Sequence, residues 1–283
     1  MPRWLVSTPC ENRPTLPGVD FDFKKFHREN KIIVREGELV VGVEGNTVIF
    51  QNGNKEDFDV VLTGAGVTQS DALGSDVIQR EVPLLAMALP WVGHFQTRNR
   101  GTLGGSVAHA DPSAEIPLAL VTCGGTVVLQ SRRGQRRLPA REFFVGVLMT
   151  QRRSDEIVTA LEWPRSAPDT SHAFAEVAQR HGDFAIAAAA CSLRLDGLDR
   201  IEELSLGVGG VEGRPVAIEV NSFVGRQAGE IAAALSEHAA ATLMPMEDHS
   251  VSADYRTALT EVLVGRAVNS ALDMARQRRS HLQ

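Results

Sequence analysis

Two adjacent glycines, Gly104 and Gly105, stand between the hydroxyls of Thr102 and Ser106. This cluster constrains the chain more than any other feature. Neighbouring glycines let another backbone or a ligand approach closely. A short glycine turn with hydroxyls and N–H donors suits an anion such as a dinucleotide pyrophosphate. The alternative is a tight turn that holds nothing. Arg98-Asn99-Arg100-Gly101 precedes the turn, and Val107-Ala108-His109-Ala110-Asp111-Pro112-Ser113-Ala114-Glu115 follows it.

Hydrophobic periodicity places this turn inside an α+β chain. Residues 31–34, 39–43 and 47–50 read as strands, and Gln51-Asn52-Gly53-Asn54 reads as a hairpin turn before Phe58-Asp59-Val60-Val61-Leu62. Residues 1–30 carry four prolines and show little periodicity. Residues 115–121 predict a buried helix stopped by Gly124-Gly125. Residues 126–129 begin a strand that turns at 132–137. A short helix follows at 141–144, and a strand at 156–164 is ended by Pro164. Arg165-Ser166-Ala167-Pro168-Asp169 reads as a linker. Beyond it come strands at 172–178 and 204–210, an apolar run at 184–195, and helices at 228–241 and 254–274. The expected division is a strand-rich segment 1–62, a second unit 63–165 and a C-terminal domain 170–283.

Composition excludes several functions. The 29 basic and 35 acidic residues leave a net charge of −6, without the basic footprint of a nucleic-acid binder. Arg132, Arg133, Arg136 and Arg137 read as a solvated hairpin tip. Cys10, Cys123 and Cys191 are far apart and too few for an iron–sulfur or zinc site. His94 and His109 read as loop hydrogen-bonding residues rather than metal ligands. No apolar stretch reaches the roughly 18 residues of a membrane span. The first residues lack a signal peptide's apolar core, so a cytoplasmic protein is expected.

A longer ordered pattern carries a family resemblance. Pro83-Leu84-Leu85-Ala86 leads to His94-Phe95-Gln96-Thr97-Arg98-Asn99-Arg100-Gly101-Thr102-Leu103-Gly104-Gly105-Ser106. Ala108-His109-Ala110-Asp111-Pro112-Ser113-Ala114-Glu115-Ile116-Pro117 follows. This stretch resembles the second subdomain of the PCMH-type FAD-binding domain in the FAD-carrying medium subunits of molybdenum hydroxylases, the carbon monoxide dehydrogenase and xanthine dehydrogenase family. Gly207-Val208-Gly209-Gly210-Val211, Arg214-Pro215, Ala253-Asp254-Tyr255-Arg256, Leu259, Val262-Leu263 and Arg266-Ala267 resemble that family's C-terminal α+β flavoprotein domain. The family's earlier loop, Ala-Gly-Gly then Gln, His or Asn then Ser, has no counterpart in residues 1–62. Residues 31–64 are similar instead, over a short stretch, to a strand-rich tail of flavin monooxygenases.

The resemblance implies that Thr102, Leu103, Gly104, Gly105 and Ser106 line FAD, with backbone N–H groups and both hydroxyls on its pyrophosphate. It implies that Glu115 accepts hydrogen bonds from ribityl or adenosine hydroxyls. The other reading of Glu115 is a helix N-terminal acid stabilised by the dipole. Asp111 is an N-cap or part of the site. Leu161 packs on the isoalloxazine or adenine face, or belongs to the core. Arg98 and Arg100 neutralise the pyrophosphate or fold onto carboxylates. Asp183 lies near the flavin or is a turn acid. No catalytic acid–base residue and no metal ligand is expected on this chain. Molybdopterin belongs to a large partner subunit and [2Fe-2S] clusters to a small one, and electrons pass through FAD to an external acceptor. The alternatives are a non-catalytic assembly subunit that has lost FAD, and a stand-alone flavin reductase.

Overall fold

The computed structural model describes residues 60–280 and, before them, the backbone of four short strands. These are β1 (Trp4–Val6), β2 (Val40–Glu44), β3 (Thr47–Phe50) and β4 (Lys55–Asp57). β2, β3 and β4 pair antiparallel in that order. The partner of β3 is therefore β4, whereas the strand near residue 60 enters a different sheet. The turn expected at 51–54, the strand at 31–34 and Cys10 lie outside the described residues.

The first half continues with β5 (Val60–Gly64), α1 (Gln69–Leu73), α2 (Asp76–Glu81), α3 (Pro83–Ala88), α4 (Phe95–Arg98), α5 (Leu103–His109) and α6 (Glu115–Thr122). After these come β6 (Thr126–Ser131), β7 (Gly134–Pro139), α7 (Ala140–Phe143), β8 (Phe144–Gly146), β9 (Met149–Thr150) and β10 (Ile157–Pro164). A five-stranded sheet has the order β1-β5-β10-β6-β7, in which β1 and β5 run parallel and the other neighbours antiparallel. Its inward face meets Ile78, Leu85, Leu103, Val107, Ile116 and Leu120 from the helices. Trp163 is fully buried there, and its indole N–H donates to Thr63 Oγ1 at 3.1 Å, so its polar edge is satisfied. Of the arginine cluster, Arg132 and Arg133 are exposed at the β6–β7 turn. Arg136 instead grips Glu156 at 2.9 and 2.7 Å, and Arg137 bonds Glu162 at 2.7 Å.

The second half comprises β11 (Ser171–Val177), β12 (Ala187–Leu195), β13 (Ile201–Gly209), β14 (Val216–Ile218), α8 (Ile231–Thr242) and α9 (Ala253–Ser280). The strands form one antiparallel sheet in chain order. One face packs on α8 and α9 through Ala173, Ala189, Cys191 and Leu206 against Leu235, Leu263 and Ala267. The other face receives α6 from the first half. All eight residues of α6 are buried, as expected of a helix that is apolar all round. Small residues make room for it. A Cβ on Gly207 would overlap the Thr122 hydroxyl, and one on Gly209 would lie 3.2 Å from Leu118. Ala188 and Ala190 are buried beside Leu118. Arg256 in α9 is buried and fastens the ends of β12 and β13. Its Nη1 donates to the carbonyls of Ile186 and Gly210, and its Nη2 to Asp248 at 2.7 Å. Among the described residues, no helix is long and apolar enough to cross a membrane.

Candidate functional site

The glycine pair is the start of a helix rather than a free turn. Thr102 is the N-cap of α5, and its Oγ1 accepts the Gly105 N–H at 2.9 Å. The segment after β5 runs alongside and takes further donors. Leu103 N–H donates to Val67 at 2.9 Å and Gly104 N–H to Ala65 at 3.0 Å, while Ser106 N–H bonds Thr102 at 3.1 Å. Every N–H from 103 to 106 is thus bonded within the chain. Gly104 is required by this close approach, since a Cβ would lie 2.6 Å from Ala65 Cα and 2.8 Å from its carbonyl oxygen. Leu103 and Leu161 are fully buried in the first core. Their side chains fill the space between helices and sheet, the core alternative for Leu161. The outward groups are the Thr102 and Ser106 hydroxyls and the exposed Gly105. Gly66 lies on the paired segment, exposed and with open space where a side chain would stand.

The two expected acids behave differently. Asp111 is not the N-cap of α6, which is Ala114. Its Oδ1 accepts the Ser113 N–H at 2.8 Å and shapes the preceding turn. That turn follows Ala110, which closes α5 in the left-handed conformation at φ 55°. Glu115 is the first residue of α6 and is buried. Burial raises its carboxyl to about 7, opposed by its own backbone N–H and reinforced by Asp111.

The second half contributes another buried acid, Glu176. Along β11 the side chains of Ala173, Ala175 and Val177 face α8 and α9. His172, Phe174 and Glu176 therefore face the first half. Glu176 pairs in register with Ala188, one of the small residues beneath α6. Burial, then repulsion from Glu115, raises the Glu176 carboxyl to about 8. Its Oε2 is buried without a hydrogen-bond partner, as is Oε1 of Gln69 beneath Gly101. Sequence reasoning missed Glu176. The available signal was the alternation at 172, 174 and 176 opposite a row of small apolar residues.

Other sequence candidates take structural roles. Arg98 Nη1 donates to the carbonyls of Val92 and Gly93, both at 2.9 Å, while Arg100 is exposed. The His94 ring packs on Gly182, where a Cβ would lie 2.7 Å from Nδ1. His181 stacks on Trp91 at 6.0 Å. Asp183 closes a turn through its N–H to Arg180 at 3.1 Å, and exposed Phe184 follows it. Among the described residues, no group of His, Cys, Asp and Glu is arranged to hold a metal ion.

Comparison with known proteins decides the family. Residues 50–166 match the FAD binding domain in molybdopterin dehydrogenase, and residues 172–271 match the CO dehydrogenase flavoprotein C-terminal domain. The chain belongs to the FAD-binding medium subunits of the molybdenum hydroxylases. The nicotine 6-hydroxylase medium subunit of Paenarthrobacter nicotinovorans is 37% identical over 217 residues, covering 75% of either chain. The glyceraldehyde dehydrogenase medium chain of Sulfolobus acidocaldarius is 32% identical over 216 residues, covering 75% of this chain and 76% of its own. Among solved structures, carbon monoxide dehydrogenase from Hydrogenophaga pseudoflava aligns with a TM-score of 0.72 at 30% identity, over 81% of this chain and 76% of that one. Quinoline 2-oxidoreductase from Pseudomonas putida 86 aligns equally well, at 0.72 and 34% identity, over 78% and 77%.

The residues present fit FAD, the cofactor of this family. Orphaned buried oxygens on Glu176 and Gln69 call for hydrogen-bond donors, and a polyol supplies hydroxyls of that kind. The exposed Gly105 and Gly66 leave space beside the Thr102 and Ser106 hydroxyls.

Proposed function

We propose that this chain is the FAD-carrying electron-transfer subunit of a molybdenum-containing hydroxylase. It takes electrons from [2Fe-2S] clusters of a small partner subunit and passes them to an external acceptor. A molybdopterin-binding large subunit oxidises the substrate. FAD, when bound, supplies the redox chemistry; the protein binds, orients and tunes it. Thr102 and Ser106 offer hydroxyls to the pyrophosphate across the open Gly105 edge. Glu115 receives hydroxyls of the ribityl or adenosine part, and Asp111 holds the turn that precedes it. The units in this reading are residues 1–62, 63–165 and 170–283, and the compartment is the cytoplasm.

One observation carries the proposal. The capped start of α5, with the Thr102 and Ser106 hydroxyls, and the buried Glu115 that opens α6 follow one another in the order of the motif in a chain of this family. The test is titration of the purified full chain with FAD, followed by flavin fluorescence and the visible spectrum. A colourless protein that ignores added FAD rejects the reading. Copurification with a molybdenum-containing partner separates a subunit from a free-standing reductase.

A second reading is an assembly subunit without flavin. The filled N–H groups of residues 103–106 favour it, together with the family's first glycine loop being absent from residues 1–62.

A further inference from the structure

We propose that the tip of the β8–β9 hairpin, with the arginines that flank it, is the docking surface for the [2Fe-2S] partner subunit, which meets it through an acidic face with an apolar centre. The identity of the partner rests on the electron-transfer reading above.

β8 and β9 form a two-stranded ribbon apart from both larger sheets. Val145, Val147, Leu148 and Met149 are all exposed on it. A lone ribbon adds little to a core, and neighbouring exposed apolar side chains mark a contact surface. Leu148 also sits in the left-handed region at φ 55°, which glycine adopts freely and leucine resists. Strain of this kind persists where the surroundings hold it. Here Leu148 N–H donates to the Ala110 carbonyl at 3.1 Å, and Gln151 N–H to that of Phe143 at 2.8 Å. The backbone is fastened while the leucine side chain is exposed. The second half extends the surface. Gly213 lies so close to Val147 that a Cβ would stand 3.2 Å from its Cγ2. The adjacent Glu212 accepts the Met244 N–H at 2.7 Å, and Met244 is 83% exposed.

Charge selects the face that fits. Arg132, Arg133, Arg141, Arg152, Arg153 and Arg214 are exposed on the flanking segments, against exposed Glu142 and Asp155 and half-buried Glu212. These segments are tied to the ribbon and to one another. Arg136 Nη2 donates to the Gln151 carbonyl at 2.7 Å, Arg214 Nη1 to that of Phe144 at 3.4 Å, and Arg133 bonds Asp155 at 2.6 Å. The whole chain carries −6, so this flank is basic against the general trend. An apolar centre with a polar rim is the usual build of a protein interface, and a basic rim is complementary to an acidic one. Position selects the electron donor. Ala110, which holds Leu148, closes α5 and leads into the turn before Glu115. Gly210 of the second half donates to Pro112 in that same turn at 2.7 Å. A subunit seated on the tip therefore lies against the α5–α6 turn of the candidate flavin site, which a donor of electrons must approach closely. A second copy of this chain, itself net acidic, is the competing occupant.

The native complex supplies the test. The tagged full chain, with the photo-crosslinking residue p-benzoylphenylalanine in place of Met149, is purified from cells that make the partner subunits. A crosslink to the [2Fe-2S] chain, identified by its peptides, is expected. None is expected from the same residue in place of Leu198, which is exposed at the opposite end of β13. A Met149 crosslink to the molybdenum-containing subunit, to a second copy or to nothing overturns the proposal. Binding of the separated [2Fe-2S] subunit to the full chain gives the second readout. Leu148→Gly removes the side chain and its strain together, so it should melt with wild type yet bind about tenfold more weakly or worse. Arg132→Glu/Arg153→Glu should weaken binding at low salt and flatten its salt dependence. Unchanged affinity in either variant overturns the surface. FAD titration of the same samples separates this proposal from the flavin reading. A chain that crosslinks to the [2Fe-2S] subunit but ignores FAD keeps the surface and loses the flavin, whereas FAD binding without the crosslink removes the surface alone.

Discussion

Gly104 and Gly105 are neighbours on one helix, yet the structure gives them opposite sensitivities. In Gly104→Ala the new methyl meets backbone, at 2.6 Å from Ala65 Cα and 2.8 Å from its oxygen. Backbone cannot swing aside, so the start of α5 must retreat. That retreat strains the packing by about 1–3 kcal/mol and loosens the Gly104–Ala65 and Leu103–Val67 hydrogen bonds, at about 1 kcal/mol each. The helix propensity gained by replacing glycine returns about 1 kcal/mol. The expected net loss is about 2–4 kcal/mol, a fall of roughly 10 °C in thermal midpoint for a chain of this size. In Gly105→Ala the nearest atom is the Thr102 cap hydroxyl Oγ1 at 2.8 Å, a side-chain atom that can turn about χ1 at the cost of its cap hydrogen bond. The same propensity gain offsets the disturbed cap, and stability is expected to stay within about 0.5 kcal/mol of wild type. Its methyl points to the open edge, so FAD affinity falls about tenfold or more through crowding. Thermal melts of both apo-variants, paired with FAD titrations, check this. If Gly104→Ala melts with wild type, or Gly105→Ala is the less stable of the two, the packing argument is wrong.

Three further outcomes follow from buried polar groups. Arg256→Lys cannot span the carbonyls of Ile186 and Gly210 together, and a buried carbonyl left unpaired costs about 1–3 kcal/mol; a thermal melt reads the loss. Glu156 is held from its ordinary 4.5 down to about 2, first by hydrogen bonding to Arg136, so its stabilisation is present above 4.5 and disappears as pH falls toward 2. Glu156→Gln should flatten urea-melt stability in that acid window. His172 lies between Ser166 Oγ at 2.7 Å and Ser192 Oγ at 2.8 Å, and burial lowers it from 6.5 to about 4. It stays neutral in the fold while the unfolded chain protonates, so stability is lost as pH falls from 6.5 to 4, and His172→Gln should remove that slope in the same urea melts.

Much of the architecture was legible because the relevant signals are local. The apolar block at 115–121, closed by Gly124-Gly125, became α6 (Glu115–Thr122), and the proline-ended run became β10 (Ile157–Pro164). The C-terminal helical pattern became α9 (Ala253–Ser280), extended past the expected end. The hairpin partner at 58–62 was misread because short strand runs do not declare which sheet they join. The site was legible only in part. Glu115 was visible from the motif, whereas Glu176 is separated from it along the chain by five strands and one short helix. Its meaning depends on which face of β11 turns toward α6, and that is a tertiary fact. Arg98 was ambiguous because its partners are backbone carbonyls, which every sequence offers.

The same reasoning changes what the glycines mean. Gly104 admits Ala65, and Gly207 and Gly209 admit Thr122 and Leu118. In each case the absent side chain makes room for the protein's own chain rather than for a ligand. The close approaches fix two distances that matter for chemistry. The first brings the α5 hydroxyls beside the end of β5, and the second lays the first turn of α6 on the second sheet. A substitution that lifts α6 from Gly207 should therefore relieve the burial of Glu115 and return it toward ordinary carboxylate behaviour, with no change in its own side chain. The ionisation of the candidate site is in that sense set by small residues that carry no charge.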